Sequence, residues 1–225
     1  MISPDERRFL DHLVEQWLSE ARWARFNEVL DQRTRHITVV MDNLYQPHNA
    51  SAVMRSCEAM GVQDLHLIQR KHGIELERGI AKGAEYWMTT HRYEGDAAEA
   101  DCVDALRRSG YRLVATTPHT DDCSIEELPV DQPIALLFGE EKPGLSPQLM
   151  GAADAYVRIP MVGFMESYNV SVSVALCLYE LLGRMRRGDI DWGLKKEERE
   201  RLALAWARRS VQHVDSIERR FFGLD

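Results

Sequence analysis

The sequence predicts an α/β fold: a mostly parallel sheet with helices on both faces, extended by helices at either end. Two observations carry this expectation. From residue 36 onward, short apolar, β-branched runs alternate with longer segments of helical periodicity, the order in which parallel strands and crossover helices follow one another. Outside that stretch, before residue 36 and after residue 188, the chain carries charged segments of helical spacing.

Taken in order, residues 3–33 read as a helix, with Phe9, Leu13, Trp17 and Leu18 at three- and four-residue spacing, followed by Trp23, Phe26 and Leu30. The β-branched run at 36–41 reads as the first strand. Further strands are expected at 65–68, 86–90, 111–116, 134–138 and 156–159, and helices at 50–60, 95–108, 147–153 and 170–187. The pattern breaks through Trp192-Gly193 and resumes as a charged helical tail from Lys195 to about His213. The expected organisation is a helical extension at 1–35, a central domain at 36–188 and a second helical extension at 189–225.

Composition narrows the function classes. With 225 residues, 44% of them hydrophobic and 28% charged, the chain suits one substantial domain with extensions. No apolar run approaches the roughly 18–20 residues needed to cross a bilayer. Residues 1–8 place acids where a secretory signal would have a basic start and an apolar stretch. A cytoplasmic protein with no membrane partner is therefore expected. Cys57, Cys102, Cys123 and Cys177 are widely spaced, with no CxxC pair and no histidine at metal-ligand spacing, which favours reduced thiols and no metal site. Cys177 sits in an apolar stretch and reads as packing.

The net charge of −8 is unevenly spread. Residues 36–183 carry eleven basic and twenty-one acidic side chains, whereas 184–225 carry eleven basic and eight acidic ones. An acidic middle with relatively basic ends suits a protein that grips nucleic acid with its terminal helices, although solvated helix faces give the same count.

Three segments carry polar groups where chemistry is plausible. The first runs from Asn43 through Pro47-His48-Asn49 to Arg55; it follows a strand and opens a helix, so Asn49 falls near the N-cap and Arg55 nearly two turns in. Either residue alone also suits a cap or a surface ion pair. The second is Gly139-Glu140-Glu141-Lys142-Pro143-Gly144, after a buried strand and before Ser146-Pro147, a cap followed by a first-turn proline. A phosphate-binding P-loop needs Lys directly after its second Gly; Leu145 stands there, which excludes a nucleoside triphosphatase. Its adjacent acids equally suit a solvated loop. The third is Ile159-Pro160-Met161, then Ser167-Tyr168-Asn169-Val170-Ser171, leading into a helix too apolar to lie on the surface. There Ser167, Asn169, Ser171 and Ser173 cluster, more polar groups than one cap requires. A dinucleotide-dependent oxidoreductase is excluded, because no GxGxxG follows the first strand.

In this order and separation the three segments resemble the SpoU/TrmH family of RNA ribose methyltransferases, of the SPOUT superfamily. That family has an Asn six residues before an Arg, a Gly-x-Glu-Lys-x-Gly loop, and Ile-Pro-Met followed by Ser-x-Asn-Val-Ser; this chain supplies all three. Pro47-His48-Asn49, with Cys57 and Gly61-Val62 downstream, resembles its tRNA-modifying branch. The resemblance covers about residues 7–188.

The resemblance implies a sheet whose C-terminal part is threaded as a deep trefoil knot, a rare exception to ordinary topology. It implies S-adenosylmethionine bound in the knot loops at Thr116, Gly139, Ile159 and Tyr168, the last standing where Leu is more usual. The implied reaction moves the cofactor's methyl to a ribose 2′-hydroxyl, with Asn49, Arg55, Glu141, Ser167 and Asn169 forming the catalytic set. A guanidinium, with a pKa above about 12, is a poor base, so Arg55 is expected to hold a phosphate and stabilise a developing alkoxide. The resemblance also implies a homodimer through the knot region and, for its tRNA branch, the D-loop guanosine at tRNA position 18. RNA is expected to meet Arg7, Arg8, Arg22, Arg25, Arg33 and Arg35, with Arg184, Arg186 and Arg187 past the apolar helix. Methylation of ribosomal RNA, or RNA binding without catalysis, are the alternatives.

Overall fold

The structure, a computed structural model, describes residues 2–43, 46–70, 81, 83–118, 123–140 and 143–224. These divide into two compact units, residues 34–192 and residues 1–33 with 193–225.

Among the described residues the larger unit is built on seven parallel strands. They are β1 (Ile37–Asp42), β2 (Asp64–Gln69), β3 (Thr89–Glu94), β4 (Arg112–Thr116), β5 (Cys123–Ser124), β6 (Ile134–Phe138) and β7 (Ala155–Arg158), in spatial order β3-β2-β1-β6-β4-β7-β5. Strand β6 therefore inserts between β1 and β4, with Val39 level with Leu136 and Val114 also level with Leu136. Every residue of β1, β2 and β6 is buried, because both sheet faces are covered; β6 is accordingly an unbroken apolar run, whereas β2 also buries Asp64, His66 and Gln69. Alternation then sorts the side chains. Ile37, Val39, Met41, Ile134, Leu136 and Phe138 face α3 (Pro47–Ala59) and α6 (Val170–Arg187). Val40, Ala135 and Leu137 face α4 (Ala98–Arg108) and α5 (Pro147–Ala152).

The mostly parallel α/β expectation holds, and the strand at 134–138 and helix at 170–187 fall where expected. The third strand does not. A 3-10 turn at Ala84–Tyr86, entered through Gly83 at φ +85°, takes up the start of the expected strand, so β3 runs 89–94. Its exposed edge position explains its polar sequence. None of the four cysteines is paired; Cys57, Cys102 and Cys177 are buried, Cys177 in the core beneath α6.

The smaller unit holds α1 (Pro4–Gln16), α2 (Glu20–Leu30), α7 (Lys196–Ser210) and α8 (Val214–Phe221). Its first helix, expected to be continuous over 3–33, is broken at residues 17–19. There the Ser19 hydroxyl accepts from the Arg22 N–H at 3.2 Å and starts a new helix. Ser3 and Glu6 form a capping box ahead of Pro4. Phe9 packs against Phe221 at 5.5 Å, and Phe26 against Trp206 at 5.7 Å edge-on, so the two chain ends share one aromatic core. Among the described residues no helix is long and apolar enough to cross a membrane.

Candidate active site

Strands β4, β6 and β7 end on the same side of the sheet, where open α/β folds collect ligands. Beyond their ends lies a cleft of about 560 Å³, within the range of small-molecule sites. Its apolar wall comes from Phe138, Met150, Val157, Ile159, Met161 and Val170, and its polar groups from Thr116, Thr117, Glu140, Glu166, Ser167 and Ser173. All four expected cofactor contacts, Thr116, Gly139, Ile159 and Tyr168, line it. The Thr116 hydroxyl donates to the Leu137 carbonyl at 2.7 Å, tying β4 to β6 at the cleft floor.

Gly139 has a stricter reason to be glycine than the ligand approach expected of it. A Cβ there would lie 2.1 Å from both the Gly144 carbonyl carbon and the Leu145 nitrogen. The loop folds back on itself at that point. The Glu140 N–H donates to the Gly144 carbonyl at 3.1 Å, and the Gly144 N–H returns the bond at 3.0 Å. Gly144, at φ +73°, turns the chain between them.

The first and third motifs meet at this end of the sheet. Gln46 is the N-cap of α3 and Pro47 its first residue, so Asn49 sits inside the first turn rather than at the cap. It is buried, and its Oδ1 accepts from Asn169 Nδ2 at 3.1 Å across 120 residues of chain. Its own amide donates to Gln46 Oε1 at 3.2 Å. Asn169 is the N-cap of α6; its Oδ1 accepts from the Ser171 N–H at 2.9 Å and the Ser171 hydroxyl at 2.6 Å. Capping thus falls to Asn169 alone. Ser167, Tyr168 and Ser173 are left facing the cleft.

Arg55 is not gathered into this group. Six residues beyond Asn49 it is displaced about 9 Å along α3 and about 120° round it; it is exposed and outside the cleft lining. Glu141 lies outside the described residues, though its neighbours Glu140 and Pro143 line the cleft.

The arginines expected to meet RNA are placed very differently. Arg22, Arg25 and Arg187 are exposed, Arg25 beside Glu28 at 2.5 Å. Arg7 pairs with Glu200, Arg8 lies 3.5 Å from Asp5, and Arg35 lies 2.7 Å from Asp64. Arg184 donates to the Ile125 and Leu128 carbonyls, and Arg186 to the Met60 carbonyl. Arg33 corrects the expectation: it is fully buried, its guanidinium 5.5 Å from the Trp206 ring. It is a packing cation of the smaller unit and leaves the RNA-facing set.

Sequence reasoning missed Thr117, Met150 and Glu166, which join the cleft only through the fold, whereas Ser173 belongs to the polar cluster of the third segment.

Residues 36–179 match the SpoU rRNA Methylase family. The chain is 35% identical over 206 residues to the tRNA (guanosine(18)-2′-O)-methyltransferase of Borreliella burgdorferi, covering 92% of this chain and 93% of that one. It is 34% identical over 165 residues to the enzyme of the same name from Escherichia coli K12, covering 72% of this chain and 70% of that one. Among solved structures it resembles the A. aeolicus TrmH/SpoU tRNA modifying enzyme, with a TM-score of 0.75 and 30% identity over 85% of this chain and 98% of that one. It also resembles the SpoU methyltransferase AviRb from Streptomyces viridochromogenes in complex with AdoMet, with a TM-score of 0.58 and 28% identity over 72% of this chain and 62% of that one. Matched by the family over its central unit and by these relatives over most of its length, the chain belongs to the SpoU methylase family.

Proposed function

We propose that this chain transfers a methyl group from S-adenosylmethionine to the 2′-hydroxyl of guanosine 18 in tRNA. The observation that carries the reading is the cleft in which Thr116, Gly139, Ile159 and Tyr168 converge, directly beside the Asn49–Asn169 contact. Relatives bearing that activity in their names match the chain over as much as 92% of its length.

The cleft fits the cofactor. Its apolar wall suits an adenine ring, and the carboxylates of Glu140 and Glu166 suit a cationic sulfonium. S-Adenosylmethionine supplies an already reactive methyl, so the protein has chiefly to align the acceptor and ease loss of its proton. Gly139 keeps the loop closed so that the cleft has a wall. Asn49 and Asn169 hold each other, presenting Ser167 and Tyr168 from the loop that precedes α6. Arg55, exposed on α3, holds a substrate phosphate and steadies negative charge on the ribose oxygen. Glu141 completes the catalytic set.

The chain is further read as knotted between β6 and α6. Support comes from the insertion of β6 between β1 and β4 and the return of α6 to pack on α3. It is read as a homodimer, supported by the exposed stripe Val172, Leu176 and Tyr179 on α6, which apolar spacing places on one helix face. Val162, Phe164 and Met165, exposed at 105%, 107% and 76%, add an unusually bare apolar loop. For RNA, Arg22 and Arg187 are the most available cations, with Arg7, Arg8, Arg25, Arg35 and Arg186 already partnered. The chain is further read as cytoplasmic, in keeping with a tRNA substrate.

The test is single-turnover transfer of labelled methyl to unmodified tRNA and, separately, to ribosomal RNA, with Arg55→Lys and Arg55→Ala alongside. Methyl should enter tRNA, Arg55→Lys should retain part of the rate, and Arg55→Ala should lose it while still binding RNA. Transfer only to ribosomal RNA, or to neither, contradicts the reading.

A further inference from the structure

A buried charge cluster lies behind the loop at residues 139–146, outside the expected catalytic set. Asp42 ends β1 as the one acid in an otherwise apolar-packed strand, and it is fully buried. Its Oδ2 accepts from the Ser146 N–H at 3.0 Å, the residue that caps α5 and closes the loop. Its Oδ1 lies 2.9 Å from Arg70 Nη2 as an ion pair. Arg70 also pairs with Glu99 of α4 and lies 3.8 Å from Glu140 Oε1. Asn43, at φ +51°, accepts from the Arg70 N–H at 3.1 Å and donates to Glu140 Oε1 at 2.7 Å. One cluster therefore holds both ends of the loop: Asn43 and Arg70 its entry at Glu140, Asp42 its exit at Ser146.

We infer that Asp42, Asn43 and Arg70 are positioning residues for methyl transfer, clamping the 139–146 loop in the shape that forms the cofactor cleft. The inference rests on the proposed function and concerns residues that touch neither substrate nor cofactor. Among the described residues the Asp42 carboxylate is faced by Arg70 after β2, Glu99 and the Cys102 thiol from α4, Glu140 after β6, and the Ser146 N–H. Burial, reinforced by Glu99 and Glu140, pushes its pKa up to about 6 against the pull of the Ser146 N–H and Arg70. At neutral pH the fold thus keeps this carboxylate ionised at a cost in stability, which suits a positioning role better than a stabilising one.

The test is calorimetric binding of S-adenosylhomocysteine to the full chain, from pH 5 to pH 8, with single-turnover methylation and Tm measured in parallel. Asp42→Asn keeps size but removes the charge. Asn43→Gly keeps the left-handed backbone, which glycine adopts freely, and removes the ties to Glu140 and to the Arg70 N–H. Wild-type affinity should fall as pH drops through about 6 while Asp42→Asn stays at the low level throughout. Both variants should bind about tenfold more weakly at pH 7.5. If Asp42→Asn fails to fold, Asn43→Gly decides by the same affinity measurement. Wild-type affinity in Asn43→Gly, or an unchanged acid limb in Asp42→Asn, would overturn the inference alone. A wild-type chain that binds no S-adenosylhomocysteine would overturn the proposed function with it.

Discussion

Replacing Gly139 with Ala puts the central geometric claim under direct strain. The added Cβ would meet the Gly144 carbonyl carbon and the Leu145 nitrogen at 2.1 Å, and the Gly144 oxygen at 2.3 Å. Carbon contacts settle at about 3.5–4.0 Å, and all three of these atoms are backbone, so no rotamer change relieves the overlap. The loop has to open by more than an ångström, breaking the paired hydrogen bonds between Glu140 and Gly144. At about 0.5–1.5 kcal/mol each, these two bonds are worth about 1–3 kcal/mol. For a chain of this size that is a fall in Tm of about 2–12 °C. The cleft loses a wall at the same time, so S-adenosylhomocysteine affinity should fall by at least about tenfold, more than one hydrogen bond's worth. Thermal unfolding and calorimetric titration read the two effects separately. A Gly139→Ala protein with wild-type Tm and wild-type affinity would refute the reasoning, because the loop would then have another way to close.

Other perturbations separate the roles of neighbouring residues. Asn49→Ala removes the acceptor of the 3.1 Å bond from Asn169 and should cost about 1–2 kcal/mol; kcat should fall while cofactor affinity holds, since Asn49 does not line the cleft. Arg33→Ala should lower stability by about 2–3 kcal/mol through lost packing and lost stacking on Trp206, read as a lower Tm, and leave tRNA affinity intact. Arg22→Gln should do the reverse, weakening tRNA binding and reducing its logarithmic salt slope by about one. Tyr179→Asp, on the exposed stripe of α6, should halve the mass seen by sedimentation if that face joins two copies. Asp42 also predicts a stability signature. Its pKa is raised from 3.8 to about 6, so its contribution is complete below pH 3.8 and is lost as pH rises through about 6. The Tm of wild type minus that of Asp42→Asn should decline across that window.

Much of the fold was open to reading, because the sheet is buried on both faces. Strands such as 134–138 are continuous apolar runs bounded by Gly139 and Pro133, and the α6 helix announces itself by a long apolar run, although it buries only the face that carries Val170, Val174, Cys177, Leu178, Leu181, Leu182 and Met185. The edge strand β3 was misplaced for the complementary reason: half-exposed, it carries Thr, His, Arg and Glu and has no apolar signature. The two-residue β5 is too short to leave any pattern. Of the site, Thr116, Gly139, Ile159 and Tyr168 were singled out only through likeness to a family, and all four line the cleft. Arg33 was misjudged because a cation in a basic segment looks exposed until Trp206, more than 170 residues later, covers it. The Asp42 cluster went unnoticed although it left a trace, an acid ending a strand of buried residues. Its partners Arg70, Glu99 and Ser146 come from three separate segments, and only the sheet order makes them neighbours.

The central claim is a site for methyl transfer to one ribose hydroxyl, and substrate pairs that differ at that hydroxyl test it most directly. Unmodified tRNA carrying guanosine at position 18, and the same tRNA carrying 2′-deoxyguanosine there, would each be incubated with the protein and labelled S-adenosylmethionine. Digestion and mass spectrometry then locate any methyl. The account predicts a single 2′-O-methyl at position 18 of the first tRNA and none on the second. Equal labelling of both, or no methyl on either, would contradict it.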